Sequence, residues 1–288
     1  GRDTVEPKFN LLEKNIKNKS VFVTGAGGSI GQELCRQILN MEPKYLIMID
    51  FCEYNLFKIN KELNELNVST KLISKLINAE DQLSLENTFR EYSVNLIFHA
   101  AAYKHVEMVE INPLDGLRNN LLNTRSICEA AIKTNVKKMI LISSDKAVRP
   151  TNVMGGTKLL SELIVKGFDQ NKKNTTKFAT VRFGNVIDSS GSVIPIFREQ
   201  IKKGGPITVT HPDMERFFMT ISEAVQLVLQ SSVLTLGGET FILNMGQPVK
   251  IIEIAKKMIL ASGLEIKDKK NKNGDIEIQI IGIKEGEK

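Results

Sequence analysis

Cysteine is scarce: Cys35, Cys52 and Cys128 are the three in 288 residues. An odd number rules out a fully paired disulfide framework, and the spacing fits no zinc site. Free thiols in a reducing compartment are expected, and no metal centre. Long apolar runs are absent, so nothing reaches the roughly 20 residues that a membrane-spanning helix needs. The first twenty residues are polar, with Lys8, Lys14, Lys17 and Lys19, and lack the apolar core of a signal peptide. There is no internal repeat. An excess of one charge is also nearly missing: 39 basic against 33 acidic residues leave +6. The lysines are scattered among acids, which reads as a solvated surface and not as a nucleic-acid groove. A basic surface also suits an anionic diphosphate substrate.

What is there is an ordinary globular composition, 42% hydrophobic and 25% charged. A chain of this length buries a full α/β core, as one domain or with a smaller lobe. Residues 1–18 read as a polar lead-in. Short apolar runs at Val21–Thr24, Tyr45–Ile49, Lys71–Ile77, Asn95–His99, Lys138–Ser143 and Lys177–Phe183 then alternate with helical spacing. The helices are expected at Ser29–Leu39, Asn55–Leu66, Leu83–Tyr92, Leu117–Lys133 and Gly155–Asp169. Such alternation predicts right-handed βαβ units in an α/β, Rossmann-type, doubly wound parallel sheet over residues 19–184. After Gly184 the pattern loosens, with helices at Glu223–Ser232 and Ile251–Ser262. Residues 185–288 are expected to form a smaller, mainly substrate-binding α+β lobe over the carboxyl edge of the sheet, where ligands of such folds bind.

The first strand runs into T-G-A-G-G-S-I-G, with Gly25, Gly28 and Gly31 between strand and helix. The strict G-x-G-x-x-G pattern fails, because Ile30 stands at its last glycine position. The physics survives: Gly25 permits the tight turn, Gly28 lets backbone approach a pyrophosphate, and Gly31 allows close helix–strand packing. Thr24, Ser29 and Ile30 complete the turn. Asp50 ends the next strand nineteen residues beyond Gly31, placed to accept bonds from an adenosine ribose and to repel a 2′-phosphate. That favours NAD over NADP. Asn78 and Ala79 follow the third strand; Asn78 can meet an adenine edge or be an ordinary loop residue.

The other chemistry-bearing stretch is S-S-D-K-A-V-R-P-T-N-V-M-G. Ser143, Ser144, Asp145 and Lys146 stand at the carboxyl end of a buried strand. The pair Asp145–Lys146 can be a surface ion pair; beside a nicotinamide it reads as acid–base machinery. Lys158 falls four residues after Met154, on the same helix face.

These segments, with H-A-A-A-Y-K-H-V, R-F-G-N-V, S-S-G-S-V-I-P and H-P-D-M-x-R-F-F-M, resemble the bacterial UDP-N-acetylglucosamine 4,6-dehydratases. Those enzymes form a polysaccharide-biosynthesis and glycosylation branch of the extended short-chain dehydrogenase/reductases. The resemblance spans nearly the whole chain. It departs from the superfamily at one position: the usual Tyr-x-x-x-Lys is here Met154-x-x-x-Lys158. A thioether has no exchangeable proton. Within the family, Met154 resembles the larger, configuration-retaining type.

The resemblance implies a lyase with internally recycled, tightly held NAD, acting on UDP-N-acetylglucosamine. Carbon 4 is oxidised, water is lost across carbons 5 and 6, and hydride returns to carbon 6. Asp145 is the implied proton donor to the leaving hydroxyl and the nearest candidate to take the 4-hydroxyl proton; Lys146 is the implied base at carbon 5. Ser144 is placed to bond the 4-hydroxyl, and Lys158 to hold the nicotinamide ribose. Ala100, Ala101, Ala102, Asn120 and Ser143 join the implied cofactor site. Tyr103, Lys104, His105, Asn185, Ser192, Val193 and Arg216 are the implied substrate contacts, with Arg216 suited to a diphosphate. His105 can equally be structural. The opening G-R-D-T-V-E-P is similar to a linker behind a membrane region. The resemblance therefore implies a cytoplasmic catalytic domain of a protein anchored in the bacterial inner membrane, with a homo-oligomer paired through Leu117–Lys133 or Gly155–Asp169. The alternatives are a nucleotide-sugar 4-epimerase, a reductase, or a non-catalytic NAD-sensing protein.

Overall fold

The computed structural model describes residues 9–66, 68–171, 174–284 and 286–287. The motif read at residues 1–7 lies outside them. In chain order the first half runs α1 (Phe9–Ile16), β1 (Ser20–Thr24), α2 (Ser29–Leu39), β2 (Tyr45–Asp50), α3 (Glu53–Asn64), β3 (Lys71–Leu76), α4 (Gln82–Tyr92), β4 (Leu96–His99), α5 (Val106–Ile111), α6 (Pro113–Leu117) and α7 (Asn123–Lys133). The second half runs β5 (Lys138–Ile142), α8 (Val153–Asp169), β6 (Lys177–Arg182), β7 (Asn185–Val186), α9 (Val193–Lys202), β8 (Ile207–Val209), β9 (Glu215–Arg216) and β10 (Phe218–Met219). It ends with α10 (Ile221–Leu234), β11 (Thr240–Ile242), β12 (Val249–Lys250), α11 (Ile251–Ala261), β13 (Ile266–Lys267) and β14 (Ile276–Ile280).

Seven strands form one sheet in the order β11-β6-β5-β4-β1-β2-β3, and every neighbouring pair is parallel. The chain winds outward in both directions from β1 and β4, so a crevice opens between their carboxyl ends. Strand residues alternate between two cores, as the pleat demands. Val21 and Val23 pack on one face with Leu34, Ile38 and Val228. Phe22, between them, packs on the other face with Phe89, Ile127 and Phe178. A third, smaller core gathers Phe197, Ile207, Met214 and Ile259 in the C-terminal lobe.

The structure adds to three expectations. Residues beyond 184 build the smaller core and also rejoin the main sheet. After β7–β10 the chain returns: α10 packs against α2, and β11 adds the seventh strand beside β6. The lead-in is not all loose, because α1 buries Leu12 and Ile16 and Asn15 bonds Ser232. The long helix expected at Leu117–Lys133 starts earlier, at Pro113, and is interrupted by a π-helical turn at Arg118–Leu122. Such turns insert one residue into the helical ladder and re-aim its side chains. No helix among the described residues is long and apolar enough to cross a membrane.

Candidate active site

A cleft of about 910 Å³ follows the carboxyl ends of the central strands. Every residue singled out from the sequence lines it, apart from Asn120, Asp145 and Arg216.

The glycine turn forms one wall. Gly25 has φ +60°, and a Cβ there would lie 2.8 Å from the Ala101 backbone. A Cβ on Gly31 would overlap the Gly25 carbonyl oxygen. Gly25 excludes a side chain on conformational and steric grounds together, Gly31 on steric grounds. Asp50 braces the turn: its carboxylate accepts from the N–H of Gly27 (2.9 Å) and of Cys52 (2.9 Å) while still lining the cleft. Gly27 escaped the sequence reading. A Cβ there would collide with Asn55 of α3, a neighbour far off in the chain.

The opposite wall comes from the loop after β5 and from α8. Ser144 Oγ donates to Asp145 Oδ1 (2.9 Å) and accepts from the Lys146 N–H (3.2 Å). Lys146 Nζ donates to Asp145 Oδ1 (3.2 Å) and Asn185 Oδ1 (3.1 Å). Asp145 thus sits one atom layer behind the cleft, reached through Ser144 and Lys146. Met154 is buried and Lys158 nearly so; both face the cleft. Lys158 Nζ donates to the Ile142 carbonyl (2.7 Å). Burial pushes this ammonium down to about 8, against the upward pull of Glu162. Glu162 lies one helical turn beyond Lys158, accepts a hydrogen bond from the Ser143 hydroxyl and forms a two-pronged pair with Arg182.

A bridge spans the cleft. Ser190, in the loop before α9, donates its N–H to Ser29 Oγ (3.2 Å) and accepts from Lys104 Nζ (2.9 Å) at its carbonyl. Lys104 is held below its ordinary pKa by burial and then by Lys146. His105 is lowered by burial and by Lys104, and its ring packs on Gly191. Ser192 and Val193 begin α9 at the cleft edge, where Ser192 Oγ is buried without a hydrogen-bond partner among the described residues.

Two of the three exceptions have clear reasons. Asn120 is 2% exposed, and its amide is spent inside the protein. Its Oδ1 accepts from the Tyr103 N–H (2.7 Å), and its Nδ2 donates to the Tyr103 carbonyl (3.0 Å) and to Thr157 Oγ1 (2.8 Å). Arg216 pairs with Glu287 (3.5 Å) and bonds the Glu215 carbonyl, on the short ribbon of β9 and β12. Arg216 thus stands outside the residues that line the cleft. Among the described residues no cluster of His, Cys, Asp and Glu could hold a metal.

Sheet order, glycine turn and cleft together define a Rossmann-type α/β protein with short-chain dehydrogenase/reductase architecture. Residues 21–288 match the family of polysaccharide biosynthesis proteins, and the chain belongs to it. It is 44% identical over 292 residues to capsular polysaccharide biosynthesis protein CapD of Staphylococcus aureus. It is 43% identical over 289 residues to probable polysaccharide biosynthesis protein EpsC of Bacillus subtilis. Both alignments take in 100% of this chain and 47% of the relative, so the chain spans about half the length of these curated relatives. UDP-glucose 4-epimerase of Rickettsia rickettsii is 34% identical, over 94% of this chain and 76% of that protein. The structure of Pen from Bacillus thuringiensis superposes with a TM-score of 0.87 at 34% identity, over 95% of this chain and 82% of that one. DesIV, a dTDP-glucose 4,6-dehydratase from Streptomyces venezuelae solved with NAD and TYD bound, gives 0.80 over 93% and 85%. At 17% identity that likeness is one of fold.

Proposed function

We infer that the cleft binds NAD and a UDP-N-acetylhexosamine, and that the protein dehydrates UDP-N-acetylglucosamine to a UDP-4-keto-6-deoxy sugar. The observation that carries this reading is Lys146, held at the cleft wall between Asp145 and Asn185, beside a Met154 that cannot exchange protons. A plain oxidoreductase of this architecture keeps a tyrosine there; an elimination needs a separate acid and base.

The residues fit the cofactor. Gly25, Gly28 and Gly31 leave the turn bare toward the cleft, and α2 starts at Ser29 with its N-terminal amides available to phosphate oxygens. Asp50 has lone pairs left after bracing the turn, which suits ribose hydroxyls and so NAD. When bound, NAD supplies the acceptor for the carbon-4 hydride and its return to carbon 6. The rest is proton transfer by this chain. Ser144 Oγ faces the cleft with its proton on Asp145, so it can accept the 4-hydroxyl proton and relay its own. Asp145, protonated in that way, can pass the proton back through Ser144 to the departing 6-hydroxyl. A neutral Lys146 can satisfy Asp145 and Asn185 with its two N–H groups, and its lone pair then takes the carbon-5 proton; the resulting ammonium, in exchange with solvent, gives a proton back to carbon 5. One water leaves, and every proton is accounted for.

A 4-epimerase is the second reading, favoured by the 34% identity to a protein of that name. One incubation separates the two. With UDP-N-acetylglucosamine in heavy water, the dehydratase yields a product lighter by one water and carrying deuterium at carbon 5. A 4-epimer of unchanged mass, separated from the substrate by chromatography, identifies an epimerase; NAD binding with the substrate left as it was identifies a sensor. The cofactor turn has its own test. Gly31→Ala forces a Cβ into the Gly25 carbonyl, so NAD affinity measured by calorimetry should fall at least about 100-fold, or roughly 2.7 kcal/mol. Unchanged affinity would remove the turn from the site.

A further inference from the structure

We propose that His99 is a positioning residue: a one-directional hydrogen-bond chain through its imidazole ties the cofactor turn at Thr24 to Asn120, and through Asn120 to Tyr103 and Met154. The reaction it serves is the one inferred above; the chain itself is read from the geometry.

His99 ends β4, is 1% exposed and does not line the cleft. Its Nδ1 is 2.7 Å from Thr24 Oγ1 and its Nε2 is 3.1 Å from Thr124 Oγ1. The direction of both bonds follows from their neighbours. Thr124 donates its hydroxyl proton to the Asn120 carbonyl (2.7 Å), so toward the imidazole it can only accept. The imidazole proton therefore sits on Nε2. Nδ1 is then a bare acceptor and takes the Thr24 hydroxyl proton, while Thr24 Oγ1 accepts the Ala101 N–H (3.1 Å). With this assignment every hydroxyl proton has an acceptor, whereas the reverse tautomer leaves the Thr24 hydroxyl proton without one among these atoms. Burial, and then the charge of Lys158, bring the His99 pKa down to about 3 and keep the ring neutral.

Beyond Thr124 the chain reaches working parts. Asn120 holds the Tyr103 backbone at both its N–H and its carbonyl and donates to Thr157, whose hydroxyl bonds the Met154 carbonyl (2.7 Å). Ser161 of α8 also bonds the Asn120 carbonyl (3.0 Å). The cofactor turn on β1, the segment after β4 and the start of α8 come from distant parts of the chain. This network sets their mutual placement, and a misplacement of about 1 Å costs about 100-fold in rate.

Thr124→Val is nearly isosteric and lies outside the cleft. It should raise the Kd for NAD about 5-fold and lower kcat about 10-fold, with KM for UDP-N-acetylglucosamine within about 2-fold. His99→Leu should do the same, and the double variant should be no worse than the worse single one, because one chain is cut twice. Nitrogen NMR of the wild-type imidazole should show the proton on Nε2 from about pH 8 to about pH 5. A Kd within 2-fold of wild type in both variants, multiplying losses in the double variant, or a proton on Nδ1 overturns the proposal. Binding and the tautomer are read without turnover. A wild-type protein that binds NAD but yields no product sinks the dehydratase reading and leaves these tests standing.

Discussion

Lys146→Met is expected to reduce turnover of UDP-N-acetylglucosamine by about 10³-fold while leaving NAD affinity within a few-fold of wild type. The size follows from the task. Positioned proton transfer contributes roughly 10²–10⁴-fold, and Lys146 is the one amine placed between Asp145 and Asn185 at the cleft wall. Norleucine-like Met keeps the length and apolar stem of the side chain and removes only the amine. The fold should tolerate the change. Lys146 and Asp145 keep 30% and 27% of their side-chain surface in solvent, and such partly exposed pairs contribute about 1 kcal/mol or less. Deuterium incorporation at carbon 5 should vanish in the variant even when substrate is in excess. Mass spectrometry of the product and titration calorimetry with NAD check both halves. Near-wild-type turnover would show that another group removes the carbon-5 proton.

The parts that were legible in the sequence share a cause. The turn from Thr24 to Gly31, the acid at Asp50 and the strands β1–β6 are written in local periodicity and in glycine, and they sit where that writing places them. What escaped depends on distant partners. Asn120 carries no sign in the sequence that its amide turns inward, because the partners it meets, Tyr103 and Thr157, lie 17 and 37 residues away. Arg216 looks like a phosphate ligand by type, and its ion pair with Glu287, 71 residues on, has no sign in the sequence. The return of the chain at α10 and β11 was hidden for a plainer reason. Thr240–Ile242 is three residues long and has no alternation to read, so only its pairing with β6 identifies it as a strand. Asp145 was found by residue type, but its reach into the cleft passes through Ser144. His99 was visible only as the last residue of an apolar strand; its bonds to Thr24 and Thr124 join β1 to α7.

Glu162→Leu should be the most destabilising single change near the site. Glu162 keeps 6% of its side-chain surface and Arg182 keeps 20%, so the pair is largely withdrawn from water. Removing one partner of a buried pair costs about 3–5 kcal/mol, because the remaining charge is stranded. Arg182 retains some solvent, which places the expectation near the lower end of that range. At a few degrees per kcal/mol for a chain of this size, Tm should drop by roughly 6–12 °C. The Ser143 hydroxyl also loses its acceptor. The double variant Glu162→Leu/Arg182→Leu strands no charge, so it should be more stable than Glu162→Leu alone; a further loss would show that the pair itself, and not the stranded charge, sets the cost. Glu162→Gln isolates the electrostatic part. Glu162 raises Lys158, whose ammonium burial has already brought down to about 8. Without that carboxylate the pKa falls further, and Lys158 loses its proton at a lower pH. The alkaline limb of NAD binding should therefore move toward neutral pH in Glu162→Gln. A limb that stays in place, with NAD affinity followed by fluorescence from about pH 6 to about pH 9, would separate Lys158 from the cofactor site.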